Sequence, residues 1–87
     1  MQLAKYVKFR EEKFGGVLFE TRSEKVFTLN ATAAAVVREI QAGHAPDEIE
    51  RRLRSRFEDP SGTLRREIAA LIADLRAKGL VEDAPRG

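Results

Sequence analysis

Val26-Phe27-Thr28-Leu29-Asn30-Ala31-Thr32-Ala33 is where this chain changes from one periodicity to another. From Lys25 to Leu29 the residues alternate, as a half-buried strand does, with Phe27 and Leu29 on one face and Val26 and Thr28 on the other. Asn30 is a good helix N-cap, because its side-chain oxygen can accept from an unpaired N–H of the first turn. Beyond it Ala33, Val36, Val37 and Ile40 recur at helical spacing and form one apolar stripe. Gly43 stands where a helix C-terminus needs a left-handed residue.

Upstream of this point, Tyr6-Val7-Lys8-Phe9-Arg10-Glu11 alternates from Val7 onward, with Val7 and Phe9 opposite Lys8 and Arg10. Lys13-Phe14-Gly15-Gly16 interrupts the pattern. Its two glycines permit a positive φ or a bulge, and the segment is expected to set a turn. Val17 to Glu20 reads as a second strand. Thr21-Arg22-Ser23-Glu24 is polar and has the length of a hairpin loop. With Lys25 to Leu29 as the third strand, the tight connections imply an antiparallel meander.

Downstream, Pro46 suits a first helical position, and Asp47 and Glu48 sit near the positive end of the helix dipole. Ile49, Leu53 and Phe57 are spaced by four, leaving Arg51, Arg52, Arg54 and Arg56 on the remaining face. Asp59-Pro60-Ser61-Gly62-Thr63 reads as a turn into a third helix, whose stripe is Leu64, Ile68, Leu71 and Leu75 and whose end is Gly79. Leu80 and Val81 are expected to tuck back onto the core, and 83–87 to fray. Three strands followed by three helices define an α+β fold, winged-helix-like, with the helices on one face of a three-stranded antiparallel sheet. Residues 1–82 are read as one domain.

Composition agrees with a small folded unit and narrows its chemistry. A chain of 87 residues with 43% hydrophobic and 34% charged side chains is too apolar for a disordered segment. Its core must be thin, since a domain of this size buries only roughly 60–65% of its unfolded surface. There is no cysteine, which removes disulfides, thiolate catalysis and thiolate metal sites together. The single histidine, His44, excludes a multi-histidine site and reads as an exposed connector between two helices. No apolar run is long enough to span a bilayer and no signal-peptide pattern opens the chain, so the expected compartment is the cytoplasm. Residues 1–44 carry seven Lys/Arg against five Asp/Glu, and residues 45–87 nine against nine, so the net charge of +2 is dispersed rather than gathered into one patch.

No arrangement suited to bond-making emerges. Gly15-Gly16 lacks the later glycine and the Lys-Ser/Thr pair of a phosphate loop. Glu11 and Glu12 are strand neighbours and point to opposite faces, so they cannot share a site. Arg52 and Arg56 lie one turn apart and could meet an acidic partner. A solvated face balanced by Glu48 and Glu50 is the preferred reading of that pair. The chain therefore reads as a binding module, not an enzyme, with no cofactor of its own.

The ordered set of features resembles the PqqD family of peptide chaperones and, more broadly, the recognition elements that bind leader peptides of ribosomally made, post-translationally modified peptides. The resemblance rests on Arg10 with Phe14-Gly15-Gly16 and the apolar strand after it, Leu29-Asn30-Ala31-Thr32-Ala33, Ile49 and Leu53 before Phe57, and Ile68, Leu71, Leu75 and Gly79-Leu80-Val81. Gln41-Ala42-Gly43-His44-Ala45 departs from it, since family members often carry an acidic residue and glycine there, followed by a Thr cap. The resemblance implies a non-enzymatic chaperone. It would bind a precursor's leader as an added strand in the groove between the third strand and the third helix, and pass the peptide to a modifying enzyme, a radical SAM maturase. The expected peptide-binding residues are Lys25, Val26, Phe27, Thr28 and Leu29 on the strand, and Leu64, Arg65, Ile68, Ala69, Ile72 and Arg76 on the helix. The flank holding Arg65, Ala69 and Ile72 is expected to face the strand. The alternative is a winged-helix nucleic-acid binder; Arg65, Arg66 and Arg76 favour it, while Glu67, Asp74 and the absence of Asn and Gln from that helix argue against it. An open strand edge also allows a homodimer.

Overall fold

The computed structural model describes residues 1–56 and 62–82. The elements run β1 (Gln2–Leu3), β2 (Val7–Glu12), β3 (Gly15–Glu20), β4 (Lys25–Leu29), α1 (Ala31–Gln41), α2 (Pro46–Arg54), α3 (Thr63–Ala77) and β5 (Val81–Glu82). β2, β3 and β4 form the expected antiparallel meander, and the three helices follow it. The continuation of the α2 stripe to Phe57, the turn at 59–61 and the tail at 83–87 lie outside the described residues.

Two elements were not anticipated. β1 and β5 pair antiparallel, with Leu3 opposite Val81, and the Ala4 amide donates to the Leu80 carbonyl at 3.0 Å. Two-residue strands have no periodicity to read, so only the burial of Leu80 and Val81 was legible. Both are buried as expected, closing the core beneath α3.

The first hairpin turns on Lys13-Phe14, and Gly15 and Gly16 already belong to β3. The glycines are therefore needed for close packing rather than for the turn itself. A Cβ on Gly15 would lie 2.2 Å from the Leu29 carbonyl oxygen, and the residue has φ +146°. One on Gly16 would meet the Phe9 ring at 2.6 Å. The start of β3 thus passes directly under the β4–α1 junction.

At that junction Asn30 Oδ1 accepts from the Ala33 amide at 2.8 Å, which caps α1. α1 then crosses the sheet against β3 and also touches β1, β4, α2 and α3. Being enclosed on several sides, it buries Ala34 and Ala35 as well as Val36, Val37 and Ile40. It ends as Gly43 was expected to end it: the Gly43 amide donates to Ile40 O at 3.0 Å and that of His44 to Glu39 O at 3.1 Å. α3 ends the same way around Gly79, with Leu80 N bonded to Leu75 O at 2.9 Å.

The core holds Leu18, Val36, Val37, Ile40, Ile49, Leu53 and Leu80 at essentially zero exposure. α3 contributes Leu64, Ile68, Ile72 and Leu75. Ile72 thus replaces Leu71 in the expected stripe, and Leu71 is only half-buried. Among the described residues one charged side chain is buried with them. Glu39 on α1, 6% exposed, accepts from Arg52 and lies 3.8 Å from Arg56, both on the α2 side. Arg52 and Arg56 therefore fasten α2 to α1 through Glu39, a partner the sequence did not indicate, whereas Glu50 pairs with Arg54 and Glu48 with His44. The hydrogen bond from Arg52 holds the Glu39 carboxyl below the usual carboxylate range, against the burial that alone would raise it.

Two stability measurements follow. Gly15→Ala should cost about 3 kcal/mol or prevent folding, because strain at positive φ adds to a backbone clash; Gly43→Ala, with nothing within 4 Å of the added carbon, should cost about 1 kcal/mol. Denaturant unfolding of the two variants checks the order. Glu39→Gln should lower stability at neutral pH by about 1 kcal/mol, a modest loss because the arginines are half-exposed. Since its carboxyl pKa is depressed in the folded state, Glu39 stabilises above its unfolded value, about 4.3, and the effect disappears as pH falls through the lower folded value. The variant's stability should therefore fall less steeply than the wild type's in that acid range.

Candidate functional site

An antiparallel strand bonds to its neighbours through alternate residues. The Thr21 amide donates to the Tyr6 carbonyl at 2.8 Å, which fixes the phase of that alternation. Thr21, Phe19, Val17 and Gly15 then bond toward β2, and Glu20, Leu18 and Gly16 toward β4, where they oppose Lys25, Phe27 and Leu29. Val26 and Thr28 are left with their N–H and C=O groups directed at the open edge of the sheet.

The two edges differ in chemistry. β2 carries Lys8, Arg10, Glu11 and Glu12, with Arg10 paired to Glu12 at 3.0 Å and Glu11 tied to Arg38 of α1 at 3.1 Å. Charges of this kind discourage a further strand from pairing. β4 has a single charge, Lys25, at its beginning.

Beside the β4 edge lies a groove of about 420 Å³ between β4 and α3. Its wall on the strand side is Val26 to Asn30, and its apolar floor is built from Phe27, Leu29, Leu71, Leu75 and Leu80. Phe27 and Leu29 face the helices, as their alternation requires, while Val26 and Thr28 face out. Asp74 and Lys78 form the α3 rim. Their side chains are joined at 2.6 Å, and the Lys78 ammonium lies 5.4 Å from the centroid of the Phe27 ring. This rim offers one charge of each sign, with the cation drawn over the groove by the ring.

The expected helix residues do not line this groove. Arg65, Ile68, Ala69 and Ile72 lie on the opposite side of α3, in a cleft of about 440 Å³ against Pro46, Asp47, Glu50, Arg51 and Arg54 of α2. Arg76 borders the adjoining depression with Ala69 and Ile72, and Leu64 is in the core. The flank expected to face the strand thus faces α2, and the flank that faces β4 is the one with Asp74 and Lys78. Leu71 and Leu75, read as core, and Asp74 and Lys78, read as the far flank, are the α3 groove residues that the sequence reading left out of the site. Helical spacing fixes which residues share a face but not which neighbour that face meets. The α2/α3 cleft is slightly larger, but both of its walls are helices, so it offers no strand edge. The β4/α3 groove has the features of a site.

Among the described residues no group of three or more His, Cys, Asp or Glu is placed to hold a metal, and no helix is long and apolar enough to cross a membrane.

Comparison with known proteins follows this geometry. The model of the family described as Coenzyme PQQ synthesis protein D (PqqD) matches residues 15–81. A solved lasso peptide synthetase B1, complexed with the leader peptide, is 30% identical and superposes with a TM-score of 0.80 over 94% of this chain and 96% of that one. TbiB1, in complex with the TbiA(beta) leader peptide, has a TM-score of 0.84 at 20% identity over 99% and 100% of the two chains, a likeness of fold. No curated protein matches the chain.

The phase of the ladder makes the open edge measurable. In hydrogen exchange, the Phe27 and Leu29 amides should be protected. Those of Val26 and Thr28, in the same strand, should exchange at least about a hundredfold faster. Equal protection across the four would place the open backbone groups elsewhere.

Proposed function

The chain belongs to the PqqD family, and we propose that it is a non-enzymatic carrier that binds the leader of a ribosomally made precursor peptide and delivers it to a separate modifying enzyme. The observation that carries this reading is the conjunction at β4: an edge almost free of charge, directly beside an apolar groove. A peptide added there would bond its main chain to Val26 and Thr28 and place every second side chain against Phe27, Leu71 and Leu75. Main-chain bonds would hold any extended segment; the groove would select its residues. Residues 1–82 would form the recognition unit. Of the residues inferred from the sequence, Lys25 to Leu29 remain in this proposal, and Leu71, Asp74 and Lys78 take the place of the α3 positions that face α2.

The leader peptide bound to the 30%-identical synthetase subunit supports the choice of ligand class. That relative also bears on the recipient. The family resemblance implied a radical SAM maturase, whereas identity with a lasso peptide synthetase B1 favours the processing enzyme of a lasso peptide synthetase. Co-purification with each class of enzyme encoded near the gene would separate the two. The open edge would also let two copies pair through β4, and a leader would then compete with the dimer.

Thr28→Pro tests strand addition directly. Proline removes the outward N–H and is tolerated on an edge strand whose N–H is not used by its neighbour. The variant should keep the wild-type circular dichroism spectrum and lose at least about tenfold in affinity, measured by calorimetry, for a synthetic peptide selected on the wild type from a random dodecapeptide library. Wild-type affinity in a folded Thr28→Pro protein would refute strand addition.

A further inference from the structure

The outer face of the sheet is charged on one side and apolar on the other, and the apolar side ends at the β4 edge. Across it the register places Lys8, Phe19 and Val26 in one row, and Arg10, Val17 and Thr28 in the next. Phe19 is 37% exposed and Val26 59%, two of the large apolar side chains this protein leaves in water. Together with Val17 they form a shelf, and among the described residues no helix lies over it. Lys8 and Arg10 border the shelf on the β2 side only. On the β4 side Val26 has no neighbour.

An exposed apolar residue on an unguarded edge invites pairing with other chains. Its position is explained if a bound strand covers it. Strands in a sheet lie about 4.8 Å apart, so a residue on an added strand opposite Val26 would have its Cβ about 5 Å from that of Val26. Phe19 would be about 10 Å from the added strand, within reach of a long or aromatic side chain. Lys8, one strand farther, would be about 14 Å away and out of reach. The face would thus select an apolar residue and not an acidic one.

We propose that the bound peptide is read on both faces, with a bulky apolar side chain at one outward-facing position packing over Val26 and toward Phe19. This rests on strand addition at β4 and extends it. The recognised segment becomes a three-residue pattern, two groove-facing side chains with an outward apolar residue between them, rather than a groove motif with a free intervening position. Val26 is then a specificity-determining residue through its side chain, in addition to the main-chain bonds it supplies.

The test uses a random dodecapeptide phage library panned against the wild type, Val26→Lys and Val26→Thr. The Thr variant keeps the branched shape and strand preference of valine and guards against misfolding of the Lys variant. Wild-type binders should show a bulky apolar residue between their groove-facing positions, and binders selected on Val26→Lys should lose that preference while keeping the groove-facing ones. The best wild-type peptide, synthesised and titrated by fluorescence anisotropy, should bind Val26→Lys about two- to fivefold more weakly. Changing its outward residue to Ala should weaken binding to the wild type by a similar factor and add little further loss in Val26→Lys, the signature of direct coupling. Unchanged affinity and selection on Val26→Lys would overturn the inference. So would an effect of Val26→Lys confined to self-association, which would assign the shelf to a second copy of the chain. Thr28→Pro in the same titration separates the levels. Loss with Thr28→Pro but not with Val26→Lys leaves strand addition standing and removes the outward contact, whereas binding unaffected by Thr28→Pro removes strand addition itself.

Discussion

The architecture depends on the junction between β4 and α1. Leu29 is the last strand residue, Asn30 caps the helix and Ala31 begins it, so no loop separates the two. With no slack, the chain must turn back over the sheet at once, and α1 is laid across β3. The turn brings the Leu29 and Asn30 carbonyl groups so close to the start of β3 that only a glycine at position 15 can lie beneath them. It also means that the chain leaves β4 across the face of the sheet and not alongside its edge. Nothing next in sequence covers that edge, and the open backbone of Val26 and Thr28 is a consequence.

The candidate groove is then completed by what α3 does not do. α3 packs on α2, α1 and β5 and stands off from β4. The space left between them is the groove, floored by side chains from both elements. Its chemistry is local: the Asp74–Lys78 pair is a one-turn ion pair of the kind found on many exposed helices, worth a few tenths of a kcal/mol to the helix. What distinguishes it is the Phe27 ring, which draws the ammonium across the groove mouth. The two edges differ as well, β2 being charged and β4 nearly uncharged, and charges of this kind discourage a further strand from pairing.

The arginines of α2 illustrate how charge in a small protein divides between structure and surface. Arg52 and Arg56 converge on Glu39, whose carboxylate is buried at the α1–α2 contact. Every ionic oxygen there needs a partner, because an unpaired buried charge costs several kcal/mol. Two arginines that could have suggested an acidic ligand are thereby committed to holding two helices together. Glu20 does comparable work at the β3–β4 loop, where it accepts from the Arg22 and Ser23 amides, each at 2.9 Å, and from the Ser23 hydroxyl. These bonds, that from the hydroxyl foremost, hold its carboxyl below the usual range.

By itself the sequence determined the three alternating strands, the Asn30 cap, the glycine stops at Gly43 and Gly79, the inward faces of Phe27 and Leu29, and the family. Each of these is written in local periodicity or in the conformational needs of one residue. It determined the edge strand as well, since three tightly joined strands leave the third at the margin. The tertiary structure alone decided which side of α3 meets that edge. Arg65, Ala69 and Ile72 lie on one flank of the expected stripe and Glu67, Asp74 and Lys78 on the other, and a helical projection does not say which of the two meets the strand. The choice between them follows from how α3 is docked on α2 and β5, through contacts between residues far apart in the chain. The same holds for Glu39 with Arg52, for the pairing of the two chain ends as β1 and β5, and for the use of Gly15. A periodic pattern records which residues turn away from water together; only packing settles what they turn toward.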